Sequence, residues 1–149
     1  MSKLDELTSA YRELAIQFKG ANSPSLTQLA EALTNGIDQL EAIKGVKASA
    51  LVAGLEQGLR EIPMSLSHLP KVERLAAYKL YRHAVEANAN SFFRSEAEHL
   101  SKIVARGKIK GENEWHIVRH QIDLLEQSSP SSSELSVFYR LADAYEAAA

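Results

Sequence analysis

The chain has no cysteine among its 149 residues. A disulfide framework, a thiolate zinc site and a cysteine nucleophile are therefore all excluded. The absence of cysteine does not by itself indicate a cellular compartment. At this length the chain is expected to form one domain and to bury most of its apolar surface without a disulfide or a metal.

Neither sign of charge dominates the composition. Seventeen Lys and Arg residues stand against 19 Asp and Glu residues, which gives a formal net charge of -2 with histidine neutral. Nucleic acids and anionic membranes attract proteins through a concentrated basic surface, whereas the basic residues here are scattered among acidic ones. We therefore expect neither a nucleic acid nor a membrane as a partner.

Long apolar runs are also absent. No segment approaches the roughly 20 apolar residues of a membrane span. The first residues, Met-Ser-Lys-Leu-Asp-Glu-Leu, carry acidic and polar side chains where a signal peptide needs an apolar core. A cytoplasmic location is the expectation.

The chain lacks the alternation of apolar and polar residues that indicates strands, and it has no internal repeat. Apolar residues recur instead at spacings of three and four, the period of an amphipathic helix. The predicted fold is an all-α, single-domain bundle of about six helices. These helices are 3–19, a second from Pro24 to Ile43, 46–62, a long fourth over 71–105, a fifth capped by Glu112 or Asn113, and 134–147.

Helix starts are marked by serine. Ser2 precedes Asp5 by three residues, which is close to a capping box, and Ser23 is followed by Pro24, which suits a first helical position. Ser131 and Glu134 form the same pattern before the last predicted helix.

Glycine occurs inside two of the predicted helices. Asn35-Gly36 is a turn signal, but the apolar register continues across it, and so one uninterrupted helix is expected. Gly54 and Gly58 lie beside the apolar face of the third helix. They predict the close approach of a neighbouring helix, and a groove for a partner helix is the alternative.

The segment 71–105 is interrupted at Asn88-Ala89-Asn90-Ser91, which is poor helix-forming sequence. Beyond this point the apolar stripe resumes, rotated by roughly a quarter turn. Either a kink or a break into two helices accounts for the shift, and we expect one long, kinked helix. Before it, Pro63 to Pro70 is expected to be a connector pinned to the core.

The one segment with linker composition is 128–133, Ser-Ser-Pro-Ser-Ser-Ser. It divides the chain into a helical bundle at 1–127 and a C-terminal docking helix at 134–149. An apolar stripe on that last helix needs burial, either on its own bundle or on a second copy of the chain, since identical elements can be exchanged between protomers. We expect a homodimer in which this stripe binds the partner: Leu135, Phe138, Leu141 and Tyr145.

The segment from Arg106 to Glu126 holds the single tryptophan and two candidate metal ligands. His116 and His120 are four residues apart, so one helix face presents two imidazoles at a spacing that can bind a divalent metal. They lie roughly opposite the line of Trp115 and Ile122, which is expected to be buried, with Trp115 in the core against the fourth helix. The favoured interpretation of the histidine face is a solvated polar surface.

Glu96 and His99 form a Glu-x-x-His pair, which di-iron bundles use twice together with two further glutamates. Only one copy is present. A local ion pair or a hydrogen-bonded histidine is therefore favoured over a metal centre.

The turn that precedes the fifth helix is basic and suggests a DNA-binding helix–turn–helix. Glu112 and Glu114 at the start of that helix would meet phosphates with the wrong sign of charge, so DNA binding is disfavoured. Walker and Gly-x-Ser-x-Gly patterns are absent. The basic residues are Lys102, Arg106, Lys108 and Lys110.

The sequence thus contains several amphipathic helices and no complete catalytic constellation. We expect a non-catalytic protein-interaction module, such as a regulator, an adaptor or an assembly subunit, that has no cofactor and acts on a protein partner of unknown identity. The alternative is a metal-binding helical protein that uses either His116 and His120 or Glu96 and His99.

Overall fold

The computed structural model describes residues 2–148, and within that range it contains seven α-helices and no strand. The predicted all-α bundle is confirmed. The helices are α1 (Lys3–Lys19), α2 (Pro24–Ala42), α3 (Ala48–Leu66), α4 (Lys71–Asn88), α5 (Ser91–Arg106), α6 (Gly111–Ser128) and α7 (Ser133–Ala148).

Serine hydroxyls cap the helices near the predicted positions. Ser2 Oγ accepts a hydrogen bond from the Asp5 N–H at 3.1 Å, and Ser23 Oγ accepts one from the Leu26 N–H at 3.4 Å. Each bond satisfies a backbone donor that has no partner inside the helix. At α7 the capping hydroxyl is that of Ser132, one residue later than predicted, and it accepts from Glu134 N–H at 3.2 Å.

The third helix continues four residues beyond its predicted end and includes a proline. Pro63 has no N–H to donate to the Leu59 carbonyl one turn earlier, which is why a helix end was expected there. The Tyr81 hydroxyl of α4 donates to that same Leu59 oxygen at 2.9 Å. The helix therefore continues to Leu66 because a side chain from another helix supplies the missing donor.

The long fourth helix of the prediction is two helices in the structure, and this raises the count from six to seven. α4 ends at Asn88, and Ala89 leaves the helical region with φ -146° and ψ 59°. Ala89 is 3% exposed, so the break between the two helices lies within the core. The weak helix-forming sequence at 88–91 marks a break rather than a kink.

One of the two glycines in α3 has the predicted packing role. A Cβ atom on Gly58 would overlap the Tyr11 hydroxyl, whereas one on Gly54 would meet nothing within 4 Å. Tyr11 needs this space because its hydroxyl donates to the Leu55 carbonyl at 2.6 Å. The close approach is thus made by a tyrosine side chain of α1.

The apolar residues form two clusters. The larger joins α1, α2, α3 and α4, with Phe92 from the start of α5. The smaller joins the end of α5 to α6 and α7, with Ile103, Val118 and Ile122 fully buried at its centre. Since α6 packs against α3 as well as α7, it is the helix that connects the two clusters.

The C-terminal helix packs chiefly on α6 of its own chain. Leu135, Phe138 and Leu141 are buried in that contact, and Tyr145 is half-buried at its edge. α6 includes Ser128, so the segment between the two helices is four residues, 129–132. The expected unit 1–127 and the expected docking helix 134–149 each include one terminal residue, 1 and 149, that lies outside the described residues.

Among residues 2–148, no helix combines the length and the apolar character that crossing a membrane requires.

Candidate functional site

The polar face of α6 is enclosed, and the expectation that it is solvated is wrong. Asp123 is 5% exposed, and both ring nitrogens of His120 are inaccessible to solvent. The reason is that α6 packs against both α7 and α3, and that side chains of α4 cover Asp123 and His120. A helical wheel shows which residues share a face, but it cannot show that a second face also has a neighbour.

Asp123 is the centre of a buried hydrogen-bond network between α4 and α6. Arg74 Nε donates to Asp123 Oδ2 at 3.1 Å, and the Tyr78 hydroxyl donates to the same oxygen at 3.3 Å. Arg74 Nη1 also donates to the Leu69 carbonyl at 3.1 Å. Burial, followed by the negative charge of Asp123, raises the pKa of Tyr78 above its ordinary value, so its hydroxyl stays protonated and able to donate.

His120 lies among aromatic rings without a hydrogen-bond partner. Its ring centroid is 4.4 Å from that of Tyr78, with the two planes 83° apart, and 6.0 Å from that of Tyr81. Burial, with a further contribution from the charge of Arg82, lowers the pKa of His120 to about 3. The imidazole is therefore neutral at ordinary pH, with one nitrogen that donates and one that accepts.

Trp115 is half-buried at the edge of the smaller apolar cluster, whereas the sequence predicted it in the core. Its ring centroid is 4.8 Å from that of His116. The indole Nε1 is buried and has no partner, and among residues 2–148 the only other buried side-chain nitrogen or oxygen atoms in that condition are the two nitrogens of His120. A buried polar atom without a partner costs about 1–3 kcal/mol.

Trp115 and His120 both line one cleft, of about 190 Å³, between the end of α3, α4 and α6. We call it the Trp115 cleft. Arg119 also lines it and has no carboxylate within 4 Å among residues 2–148. The polar lining is contributed by Arg74, Tyr78, Trp115, Arg119, His120 and Asp123.

A second cleft, of about 360 Å³, lies between α3, α5 and α6. We call it the His99 cleft. Three of the four candidate metal ligands, Glu96, His99 and His116, line it, while His120 lines the Trp115 cleft. Its polar lining is contributed mainly by Gln57, Arg60, Glu61, Glu96, His99 and His116.

The candidate metal ligands in the His99 cleft already have partners. Arg60 Nε donates to Glu96 Oε1 at 2.8 Å, and His99 Nε2 lies 3.3 Å from Glu114 Oε2. His116 Nε2 lies 3.6 Å from Glu112 Oε1. In the part of the chain that the structure describes, no three His, Asp or Glu side chains are grouped closely enough to hold a metal ion.

Glu114 is a site residue that sequence reasoning considered only as an obstacle to DNA binding. Burial opposes its ionisation, but the Lys110 N–H at 2.7 Å, His99 and Arg106 all bind the carboxylate and lower its pKa. Arg106 also donates to the Lys108 carbonyl at 3.1 Å. The basic turn is therefore folded onto the start of α6, and its Arg106 is paired with Glu114.

Comparison of the chain with protein-family models, with curated proteins and with solved structures found no match.

Proposed function

We propose that this protein is a cytoplasmic, non-catalytic helical interaction module that binds a second copy of itself through the α6–α7 hairpin. The observation that carries the proposal is the placement of α7. It buries its apolar stripe chiefly on one helix, in an apolar cluster separate from the main core.

The α6–α7 contact is suited to exchange between copies. Leu135, Phe138 and Leu141 each contribute roughly 1.5–3 kcal/mol when fully buried, and an identical α6 in a second chain offers them the same surface. The four residues at 129–132 extend to about 13 Å. The helix can therefore be retained by its own chain or transferred to a neighbour at little cost in apolar burial.

Exchange of α7 can be tested by energy transfer, because a chain without cysteine accepts a single label. Ser136→Cys places the label on an exposed position of α7. Donor-labelled and acceptor-labelled proteins are expected to develop energy transfer after mixing, and Leu141→Asp is expected to abolish it. Val72→Asp on α4, where the side chain is 85% exposed, is the matched control.

Two outcomes of the mixing experiment contradict the proposal. One is an absence of energy transfer at every protein concentration. The other is an equal loss of transfer in Leu141→Asp and in Val72→Asp, because α7 would then have no special role.

A second candidate function, metal binding, is favoured by one observation. Glu96, His99 and His116 line the same cleft, although they come from separate turns of α5 and α6. A bound cation would require Glu96 to release Arg60 and His99 to release Glu114, and the energy of coordination would have to offset both losses.

Metal content of the purified protein, followed by titration with Zn²⁺, decides this second candidate. Stoichiometric binding that is lost in both His99→Ala and His116→Ala supports it. Binding that is unchanged in those variants, or that is lost equally in the exposed control His83→Ala, rules out this site.

A further inference from the structure

An ion pair spans the groove between α3 and α5. Arg60 Nε donates to Glu96 Oε1 at 2.8 Å, and both residues line the His99 cleft. The same two residues line a neighbouring space of about 210 Å³, which we call the Phe93 pocket. We propose that this groove binds an α-amino acid with a large apolar side chain, with its charged groups on the Arg60–Glu96 pair and its side chain in the Phe93 pocket.

The wall of the Phe93 pocket suits an apolar side chain. Phe93, Leu100 and Ile117 are only half-buried, so a ligand that covered them would remove apolar surface from water. A cavity of ~150 Å³ is enough for a benzene ring, and the pocket, at about 210 Å³, therefore has room for a phenyl group. The apolar lining is contributed by Pro63, Tyr81, Phe93, Ala97, Leu100 and Ile117.

The ion pair leaves hydrogen-bonding capacity on both of its members. Arg60 carries five N–H donors, of which Nε binds Glu96 and Nη1 binds the side-chain oxygen of Gln57 at 3.3 Å. Glu96 accepts at Oε1, and its Oε2 has no hydrogen bond with any residue in the range 2–148. A carboxylate can therefore bind to Arg60, and an ammonium group to Glu96, while the pair itself stays intact.

The charges of the groove favour a ligand that carries both signs. Arg60 and Glu96 neutralise each other, so an anion alone would lie beside Glu96 and a cation alone beside Arg60. An ammonium group and a carboxylate on one carbon atom give each charge a partner of opposite sign. Glu61 also lines the His99 cleft and offers the ammonium group a second carboxylate. Arg82 of the Phe93 pocket adds no uncompensated charge, because Glu86 lies 3.7 Å from it.

Calorimetric titration of the full protein with L-phenylalanine tests the proposal. A chelator is present throughout, so that no metal in the His99 cleft contributes heat. We expect saturable binding of one molecule per chain. Three analogues each lack one part of the ligand: 3-phenylpropionate has no ammonium group, 2-phenylethylamine has no carboxylate, and glycine has no side chain. Each is expected to bind at least about tenfold more weakly than L-phenylalanine, because each loses either a charge-assisted hydrogen bond or the burial of the ring.

Variants identify the groups that bind L-phenylalanine. Arg60→Gln and Glu96→Gln are each expected to weaken binding by about tenfold or more, because each removes a hydrogen bond between charged groups. Ala97→Phe, at an exposed position of α5, fills the Phe93 pocket and should weaken binding as much while it leaves the ion pair in place. Glu56→Gln breaks the ion pair with Lys3 at 3.2 Å, which lies outside the groove, and should bind L-phenylalanine as the natural protein does. Circular dichroism melting shows that each variant is folded when it is titrated.

Three results would overturn the proposal. They are an absence of saturable heat with L-phenylalanine, equal affinity for L-phenylalanine and either singly charged analogue, and unchanged affinity in folded Ala97→Phe. The last result decides the matter even if the variants of the ion pair do not fold. None of the three depends on the oligomeric state of the protein, and so the proposed self-association is tested separately.

Discussion

At the scale of single residues, the interior of this protein is organised by polar groups that differ in how well they are paired. Asp123 is 5% exposed and is bound by both Arg74 and Tyr78. The ring nitrogens of His120 are also buried but have no hydrogen-bond partner, and burial keeps the ring neutral. Removal of Asp123 breaks a buried charge pair, whereas removal of His120 eliminates a neutral ring that has no hydrogen-bond partner. The two substitutions therefore change the free energy of unfolding for different reasons.

Asp123→Ala is expected to lower the free energy of unfolding by about 3–5 kcal/mol, because it leaves Arg74 partly buried without a counter-charge. Urea denaturation measures the change. The double variant Arg74→Met, Asp123→Leu should recover most of the loss, since neither charge then remains. Asp38→Ala, which breaks the exposed contact to Arg12 at 3.2 Å, should cost less than about 1 kcal/mol. Equal costs for Asp123→Ala and Asp38→Ala would show that the buried network is not structural.

His120 is expected to make stability depend on pH between about 3 and 6.5. Its pKa is lowered to about 3 in the folded protein, whereas an unfolded histidine titrates near ~6.5. In that window the unfolded chain binds a proton that the folded chain does not, so stability is complete above the window and falls as the pH is lowered. The contribution of His120 to this slope approaches about 1.4 kcal/mol per pH unit.

The measurement is the free energy of unfolding at several values between pH 5 and pH 6.5, where most carboxylates are still ionised. His120→Phe should flatten the slope, and His83→Phe, at an exposed position of α4, should leave it as it is. An unchanged slope in His120→Phe would mean that another group titrates in this window.

At the scale of helices, the most informative feature is the proline in α3. The Tyr81 hydroxyl replaces the backbone donor that Pro63 lacks, by binding the Leu59 oxygen at 2.9 Å. Periodicity and caps were enough to predict α1 and α2, because their stripes and serine starts are local. The continuation through Pro63 could not be predicted, since the donor that permits it comes from a different helix.

Tyr81→Phe is expected to cost about 1–3 kcal/mol, the penalty for a buried acceptor left without a donor. Pro63→Ala restores an N–H at position 63, so Tyr81→Phe should cost less in that background. A double-mutant cycle measured by urea denaturation gives this coupling. Tyr139→Phe, on the exposed side of α7, is the control, and its coupling free energy with Pro63→Ala should be close to zero. Strict additivity of Tyr81→Phe and Pro63→Ala would disprove the compensation.

At the scale of the whole molecule, α6 connects two apolar clusters and carries residues of both clefts. The sequence predicted that its Val118 and Ile122 face a core, and both are fully buried. It could not predict that Asp123 would meet Arg74, 49 positions away in the chain. His99 has a carboxylate partner, as its half-motif suggested, but that partner is Glu114 of α6 and not a residue of its own helix. Pairs between different helices depend on how the helices pack. The spacing of residues along one helix carries no information about that packing.

At the same scale, we propose that α7 lets two copies of this chain associate. Light scattering of the full protein, measured over a range of concentrations, tests it most directly. We predict a mass that rises with concentration to twice the 16.4 kDa of one chain, and a mass of one chain for Leu141→Asp under the same conditions. A mass of 16.4 kDa for the natural protein at every concentration would contradict the claim.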